Sequence, residues 1–208
     1  MSLREAGRYV ANLKEIGIFG GTFNPPHMGH YALAVEAKKE FNLDKVFFVP
    51  AYIPPHKEPR NVMDAEHRLE MVKLLISPNP DFILSDFEIN RKKVSYTIDT
   101  IKHFKTEFPE TKIHFMIGSD SFYHVDTWKD SQEVLKLIDF IIFPRAGNTK
   151  EMIAKKMGNF TNVVYWAHTG LIHIASTDIR FRLRSGENCV EELGPKVSAY
   201  IKEHKLYK

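Results

Sequence analysis

Apolar residues fall along the chain in short runs, and between the runs they recur every three or four positions. Residues 15–19 are the first run and predict a buried strand, ended by the glycines and prolines of residues 20–26; a helix follows from about His27 with Leu33, Ala34, Ala37 and Phe41 on one stripe. Residues 45–51 predict a second strand, followed by a proline-rich loop over residues 52–60. Asp64 stands where it can cap a helix through Leu69, Val72, Leu75 and Ile76, and residues 82–87 then read as extended. Ser95 reads as the cap of a helix through Ile98, Ile101 and Phe104, with a strand at residues 113–117 behind it. Asp130 and Glu133 have capping-box spacing ahead of Val134, Leu135 and Ile138. Further strands are expected at residues 140–143, 163–166 and 171–175, after which Ser176 reads as a cap, Gly186 as a stop and Pro195 as a helix start.

Strands alternating with helices of ordinary length predict an α/β fold, a doubly wound parallel sheet with helices on both faces and a small helical subregion over residues 177–208. Residues 15–208 read as a single domain, and residues 1–14 as a polar leader with no assigned role. In such sheets ligands occupy the crevice outside the carboxyl ends of the strands. Polar, glycine-bearing or basic segments follow five of the predicted strands, at residues 20–30, 54–57, 118–120, 144–145 and 176–180. Their shared position predicts one composite site.

Composition narrows the chemistry. The 208 residues are 43% apolar with 15 Phe, enough for a sizeable core. Lys and Arg total 29 against 26 acidic residues, a net +3 that does not argue for wrapping nucleic acid. Cys189 is the only cysteine, which excludes an intrachain disulfide and a cysteine zinc site and suits a reducing, cytoplasmic compartment. No apolar stretch approaches the roughly 20 residues of a membrane span, and the leader lacks a signal-peptide core. A soluble chain is expected; self-association is left open.

The segment GGTFNPPHMGH at residues 20–30 fits neither GxxxxGK[ST] nor GxGxxG. Gly20 and Gly21 let backbone approach a ligand, and His27 and His30, three apart at a helix start, form a donor pair for phosphate oxygens. A lone HxxH is more often packing or surface; the eleven-residue context reverses those odds. Zinc is disfavoured because two histidines leave a tetrahedral site short of ligands. IASTDIR, residues 174–180, brings Ser176, Thr177 and Arg180 to a helix start, where hydroxyls, free amides and a guanidinium suit phosphate. Arg182 and Arg184 read as a solvated face. His56, Lys57 and Arg145 can reach the same phosphates, Gly118 and Asp120 offer a turn with a carboxylate, and Trp128 offers a ring for stacking. No activated nucleophile is visible, and phosphoryl-type transfer requires none.

GGTFNPPHMGH together with STDIR resembles the nucleotidylyltransferase superfamily, through an HxGH motif (His27, Gly29, His30) and an ISSTxxR-type motif. PPHK, SYTIDT, GSDSF with Trp128, and YIKEHKLY extend the resemblance to the bacterial nicotinate-mononucleotide adenylyltransferase family, over nearly the whole chain from Ile16. The resemblance implies transfer of the adenylyl group of ATP to nicotinate mononucleotide with Mg2+, and Asp120 as a ribose or metal contact, with no metal site of protein side chains assigned. It implies His27, His30 and Arg180 as catalytic residues and Gly20, Gly21, Thr22, Phe23, Lys57, Gly118, Asp120, Ser176 and Thr177 around ATP. Asn24, His56, Thr97, Trp128 and Arg145 are implied around the mononucleotide. Asn24 stands where the family usually has Asp, and Ala175 where it has Ser. Two other readings are weighed: pantetheine-phosphate adenylyltransferase, which generally carries Thr at the position of His27, and a non-catalytic nucleotide-binding module, which would not need the His27, His30 and Arg180 set.

Overall fold

A computed structural model describes residues 13–145, 147–157, 164–168 and 174–208. Six strands form one parallel sheet: β1 (Glu15–Gly21), β2 (Lys45–Pro50), β3 (Phe82–Leu84), β4 (Lys112–Gly118), β5 (Asp139–Phe143) and β6 (Val164–Trp166). Their order is β3-β2-β1-β4-β5-β6. β1 pairs with β2 through Ile18↔Phe47 and with β4 through Ile18↔Phe115, so the chain leaves β1 toward one edge and later returns to its other side. That reversal parts the loops beyond β1 and β4 and opens a crevice at their carboxyl ends.

The period-two alternation of each strand serves two cores. Phe19, Val46, Phe48, Met116, Ile141 and Phe143 face one layer, made by α1 (Met28–Glu40), α2 (Ala65–Ile76), α8 (Ser176–Arg184), α9 (Val190–Leu193) and α10 (Pro195–Glu203). Ile16, Ile18, Phe47, Val49, Phe115 and Phe140 face the other, covered by α4 (Thr97–Glu107), α6 (Ser131–Leu137) and α7 (Lys150–Met157). Strands buried on both sides are the reason they read as unbroken apolar runs. Phe47 meets Phe104 edge-on with ring centroids 5.2 Å apart, one of several aromatic contacts that fasten α4 to the sheet. Two short helices, α3 (Phe87–Arg91) and α5 (Ser119–Phe122), sit beside the crevice.

Several local expectations are corrected. β3 ends at Leu84, and Phe87 opens α3, because the Ser85 amide makes its bond to Phe48 O and the sheet edge stops there. Tyr96, not Ser95, is the N-cap of α4; the Ser95 hydroxyl instead accepts from the Tyr52 amide at 2.9 Å. Asp130 does cap α6, but in left-handed backbone at φ +52° that makes no side-chain cap bond, and Glu133 pairs with Lys102 rather than closing a box. Ala175 is the N-cap of α8, and Ser176 is its first residue. Of the strand expected at residues 171–175, residues 171–173 lie outside the described residues, and Ile174 and Ala175 are not in a strand. Leu69 is only half-buried, while Arg68 beside it is almost completely enclosed. Arg182 is not simply solvated, since it pairs with Glu187 and Glu192. Asp64, Gly186 at φ +79° and Pro195 stand as expected at helix ends. Among the described residues no helix is long and apolar enough to cross a membrane.

Candidate active site

A cleft of about 980 Å³ opens at the carboxyl ends of β1 and β4. Gly20, Gly21, Thr22 and Phe23 line it from the end of β1, and Gly118 and Asp120 from the end of β4. A Cβ at Gly118 would fall 2.5 Å from Asp120 Oδ1, so glycine there lets the carboxylate fold back over the strand end beside Arg145. His30, His56, Lys57, Thr97, Trp128 and Arg145 also line the cleft. His27, Ser176, Thr177 and Arg180 are not in its lining; Ser176 and Arg180 instead bond to carbonyls of the loop that precedes His27.

That loop is the link between β1 and α1. His27 caps α1 from extended backbone, and its amide donates to His30 Nδ1 at 3.2 Å. The two rings lie 3.7 Å apart, as their spacing at a helix start requires. A bond accepted at Nδ1 fixes the neutral His30 tautomer with its proton on Nε2, which leaves Nε2 as a donor. Burial, then His27, Arg145 and Lys57, hold the His30 imidazole well below the usual histidine range. Burial and then Arg145 push His27 down to about 3, and the residue is 2% exposed. Both rings are neutral near pH 7, and each is a hydrogen-bond donor that keeps its proton when an anion approaches.

Residues far along the chain close on the same loop. Arg180 Nη1 donates to Asn24 O at 2.7 Å and Nη2 to Thr177 Oγ1 at 3.3 Å, while the Ser176 hydroxyl donates to Pro25 O at 2.9 Å. The start of α8 is therefore fastened to the start of α1, and His27 follows two residues after the bonded Pro25. Although Lys57 is exposed overall, burial of its ammonium end, followed by the charges of Arg180 and Arg68, holds it below the lysine range, with Asp120 acting in the opposite sense. An ammonium depressed by neighbouring guanidinium charges marks a place suited to an anion.

At the far end, Thr97 opens α4. The amides of Asp99 and Thr100 bond back to Tyr96 O, which leaves the first amides of the helix to point along its positive end. Trp128 is half-buried, its ring edge-on to Phe115 at 6.3 Å, and the Lys129 ammonium lies 4.7 Å from the Tyr96 ring. Asn24 does not line the cleft. It is 4% exposed, and its carboxamide donates to Asn61 O at 2.9 Å while accepting from the Met63 amide at 3.1 Å and from the Tyr207 hydroxyl at 2.9 Å. The bond to Asn61 needs an N–H that aspartate lacks, which gives the amide at this position a physical reason.

Three important residues were not among the expected site residues. Arg68 donates to Met63 O, Thr22 O and Tyr52 O at 2.8–3.0 Å and so ties both cleft loops to α2. Glu88, on α3, lines the cleft from below and accepts from Thr100; burial pushes its carboxyl up. Tyr207 reaches Asn24 from beyond α10. An arginine on an otherwise apolar helical stripe was the available signal for the first, and Tyr207 ends the YIKEHKLY segment, which carried the resemblance but no role for the phenol.

The assembled groups are neutral imidazole donors, helix-start amides, guanidinium and ammonium charges around an elongated cavity with a flat aromatic ring at its other end. They can bind a polyphosphate and a second, ring-bearing anion together. Residues 18–182 match the cytidylyltransferase-like family. The chain is 41% identical over 198 residues, 93% of its own length and 94% of the relative's, to a probable nicotinate-nucleotide adenylyltransferase of Thermoanaerobacter sp.. A second relative with the same description, from Bacillus pumilus, is 40% identical over 94% of this chain and 99% of its own. The chain belongs to the nicotinate-nucleotide adenylyltransferase family. The fold agrees at greater distance. A Plasmodium falciparum nicotinic acid mononucleotide adenylyltransferase complexed with NaAD superposes with a TM-score of 0.80 at 22% identity, covering 93% of this chain and 97% of that one. For an adenylyltransferase of this family, the sheet reversal between β1 and β4 is the feature that gathers residues of four of the expected segments, those at 20–30, 54–57, 118–120 and 144–145, around one cavity. The fifth, at 176–180, is not in its lining and bonds to the β1–α1 loop through Ser176 and Arg180.

Proposed function

We propose that the chain transfers the adenylyl group of ATP to the 5′-phosphate of nicotinate mononucleotide, forming nicotinate adenine dinucleotide and pyrophosphate by direct in-line displacement. A mononucleotide phosphate oxygen forms the new bond to the α-phosphorus as the bond to the β-phosphate bridging oxygen breaks, and no covalent enzyme intermediate is needed. The candidate nucleophiles support this reading: burial pushes the Cys189 thiol up and away from thiolate, and the Ser119 hydroxyl accepts from the Arg145 amide inside the fold. The observation that carries the proposal is His30 in the cleft lining with its Nδ1 engaged by the His27 amide, on the loop whose carbonyls Arg180 and Ser176 hold.

In this reading His27, His30 and Arg180 stabilise charge on the phosphates as it shifts to the leaving pyrophosphate. Gly20, Gly21, Thr22 and Phe23 line the adenylyl site, with Lys57, Gly118, Asp120, Ser176 and Thr177 completing the ATP contacts. Trp128 stacks on the nicotinate ring, the helix-start amides at Thr97 receive its carboxylate, and His56 and Arg145 meet the mononucleotide phosphate. Asn24 acts from behind the loop rather than on the substrate. Asp120, exposed at the cleft, would hold the Mg2+ that accompanies ATP, an ion that needs one or two protein carboxylates and would neutralise phosphate charge. Among the described residues no cluster of three or more His, Cys, Asp or Glu is built to hold a metal.

The test is pyrophosphate release from ATP with nicotinate mononucleotide, nicotinamide mononucleotide or pantetheine phosphate as acceptor. Nicotinate mononucleotide is expected to be used fastest. Faster turnover with pantetheine phosphate, or none with any acceptor, overturns the assignment.

A further inference from the structure

Asn24 joins more of the chain than any cleft residue around it. Its side chain meets Asn61, Met63 and Tyr207, its carbonyl accepts from Arg180, and the next carbonyl accepts from Ser176. The loop needs such outside bonds, because Phe23 just before it holds a left-handed φ of +49°, a conformation a bulky side chain rarely adopts unaided. Of these partners Tyr207 is the most remote, 183 positions away. Its ring is 6% exposed and packs in the core layer with Ile179, Val197 and Ile201. Packing alone would be satisfied by phenylalanine, whereas a buried hydroxyl is unfavourable unless it is bonded. Here the hydroxyl donates to Asn24 Oδ1 at 2.9 Å, and burial raises its pKa so that it remains a donor throughout the neutral range.

We infer that Tyr207 is a positioning residue for nucleotidyl transfer: its hydroxyl holds the Asn24 carboxamide, and through it the loop that carries His27 and His30. The hydroxyl completes the acceptor capacity of Asn24 Oδ1, so the amide can turn only by giving up Asn61, Met63 and Tyr207 together. A fixed Asn24 keeps its carbonyl under the Arg180 guanidinium and presents the His27 amide to His30 Nδ1. Tyr207 touches no substrate; it acts on the orientation of the groups that do.

This inference rests on the adenylyl-transfer reading for its kinetic arm but not for its spectroscopic one. Steady-state constants are compared for the unmodified chain, Tyr207→Phe, Asn24→Ser and the double variant, each well below its own Tm. In parallel, long-range ¹H–¹⁵N spectra report the ring nitrogens of His27 and His30 without substrate. Tyr207→Phe is expected to lower kcat about fivefold, the equivalent of one net hydrogen bond, with KM for both substrates changed less than about twofold. The double variant is expected to be no slower than Asn24→Ser, and the His30 ring signals to move in Tyr207→Phe. A lower Tm with unchanged kcat and unchanged ring signals makes Tyr207 merely structural and overturns the inference, as does additivity of the two substitutions. If the unmodified chain forms no dinucleotide, the functional reading fails on its own; shifted ring signals then still support the coupling, and unshifted ones still overturn it.

Discussion

At the histidine end of the cleft nearly every polar group is bonded to backbone from another part of the chain, whereas at the tryptophan end the lining side chains stand on an exposed rim. Asn24, Ser176, Arg180 and Arg68 all spend hydrogen bonds on loop carbonyls or amides. His124, Thr127 and Lys129 are exposed at that end, and Glu88, which accepts from Thr100, is buried there. The difference separates two tasks. Stabilising a transition state demands donors that do not reorganise, while admitting and releasing a second substrate is served by side chains free to adjust. Damage at the first end should therefore appear in turnover or in stability, and damage at the second in apparent affinity.

The sharpest way to break this division is His30→Ala. Removing a preorganised donor is expected to lower kcat by roughly 10²- to 10³-fold, with little change in Tm; a variant near normal turnover would contradict the assignment of the imidazole. Arg68→Met probes the supporting layer. It strips donors from three carbonyls at once, and a loss of about 2–4 kcal/mol in denaturant unfolding is expected, against little loss if the loops hold themselves. Trp128→Ala tests the rim: KM for the mononucleotide is expected to rise about tenfold, the order of one base-stacking contact, with KM for ATP nearly constant. Equal changes in both would remove the distinction between the ends.

The smallest expected effect is a pH dependence. His27 titrates near 3 in the folded chain and near 6.5 when unfolded, so between those values the unfolded state binds the extra proton and stability falls as pH is lowered. From pH 6.5 to 5.5 that amounts to about 1 kcal/mol at most. In His27→Asn the slope of unfolding free energy against pH should flatten over this interval, and an unchanged slope would assign it to other groups.

The layered fold was legible because strands buried on both faces leave apolar runs that no exposed element produces. The composite site was legible for a related reason, since polar motifs recurring after strands must share one end of a parallel sheet. Local capping was less legible: Ser95 has the composition of a cap, but the Tyr52 amide across the cleft claims its hydroxyl, and no local pattern reports a partner 43 residues away. Arg68 sits on the apolar stripe of α2 and reads as an interruption until the carbonyls it serves are brought together by the sheet. Asn24 was noted as a departure in a motif, and only the fold shows that its amide N–H has a dedicated acceptor in Asn61.

The long reach from Tyr207 to Asn24 also bears on the order of biosynthesis. On the ribosome the phenol that braces the loop of the two imidazoles is translated 183 residues after the amide it meets. Pairing over such a separation has a large loop-closure cost, so the wall that carries the imidazoles acquires its final shape only after all the intervening chain has been made.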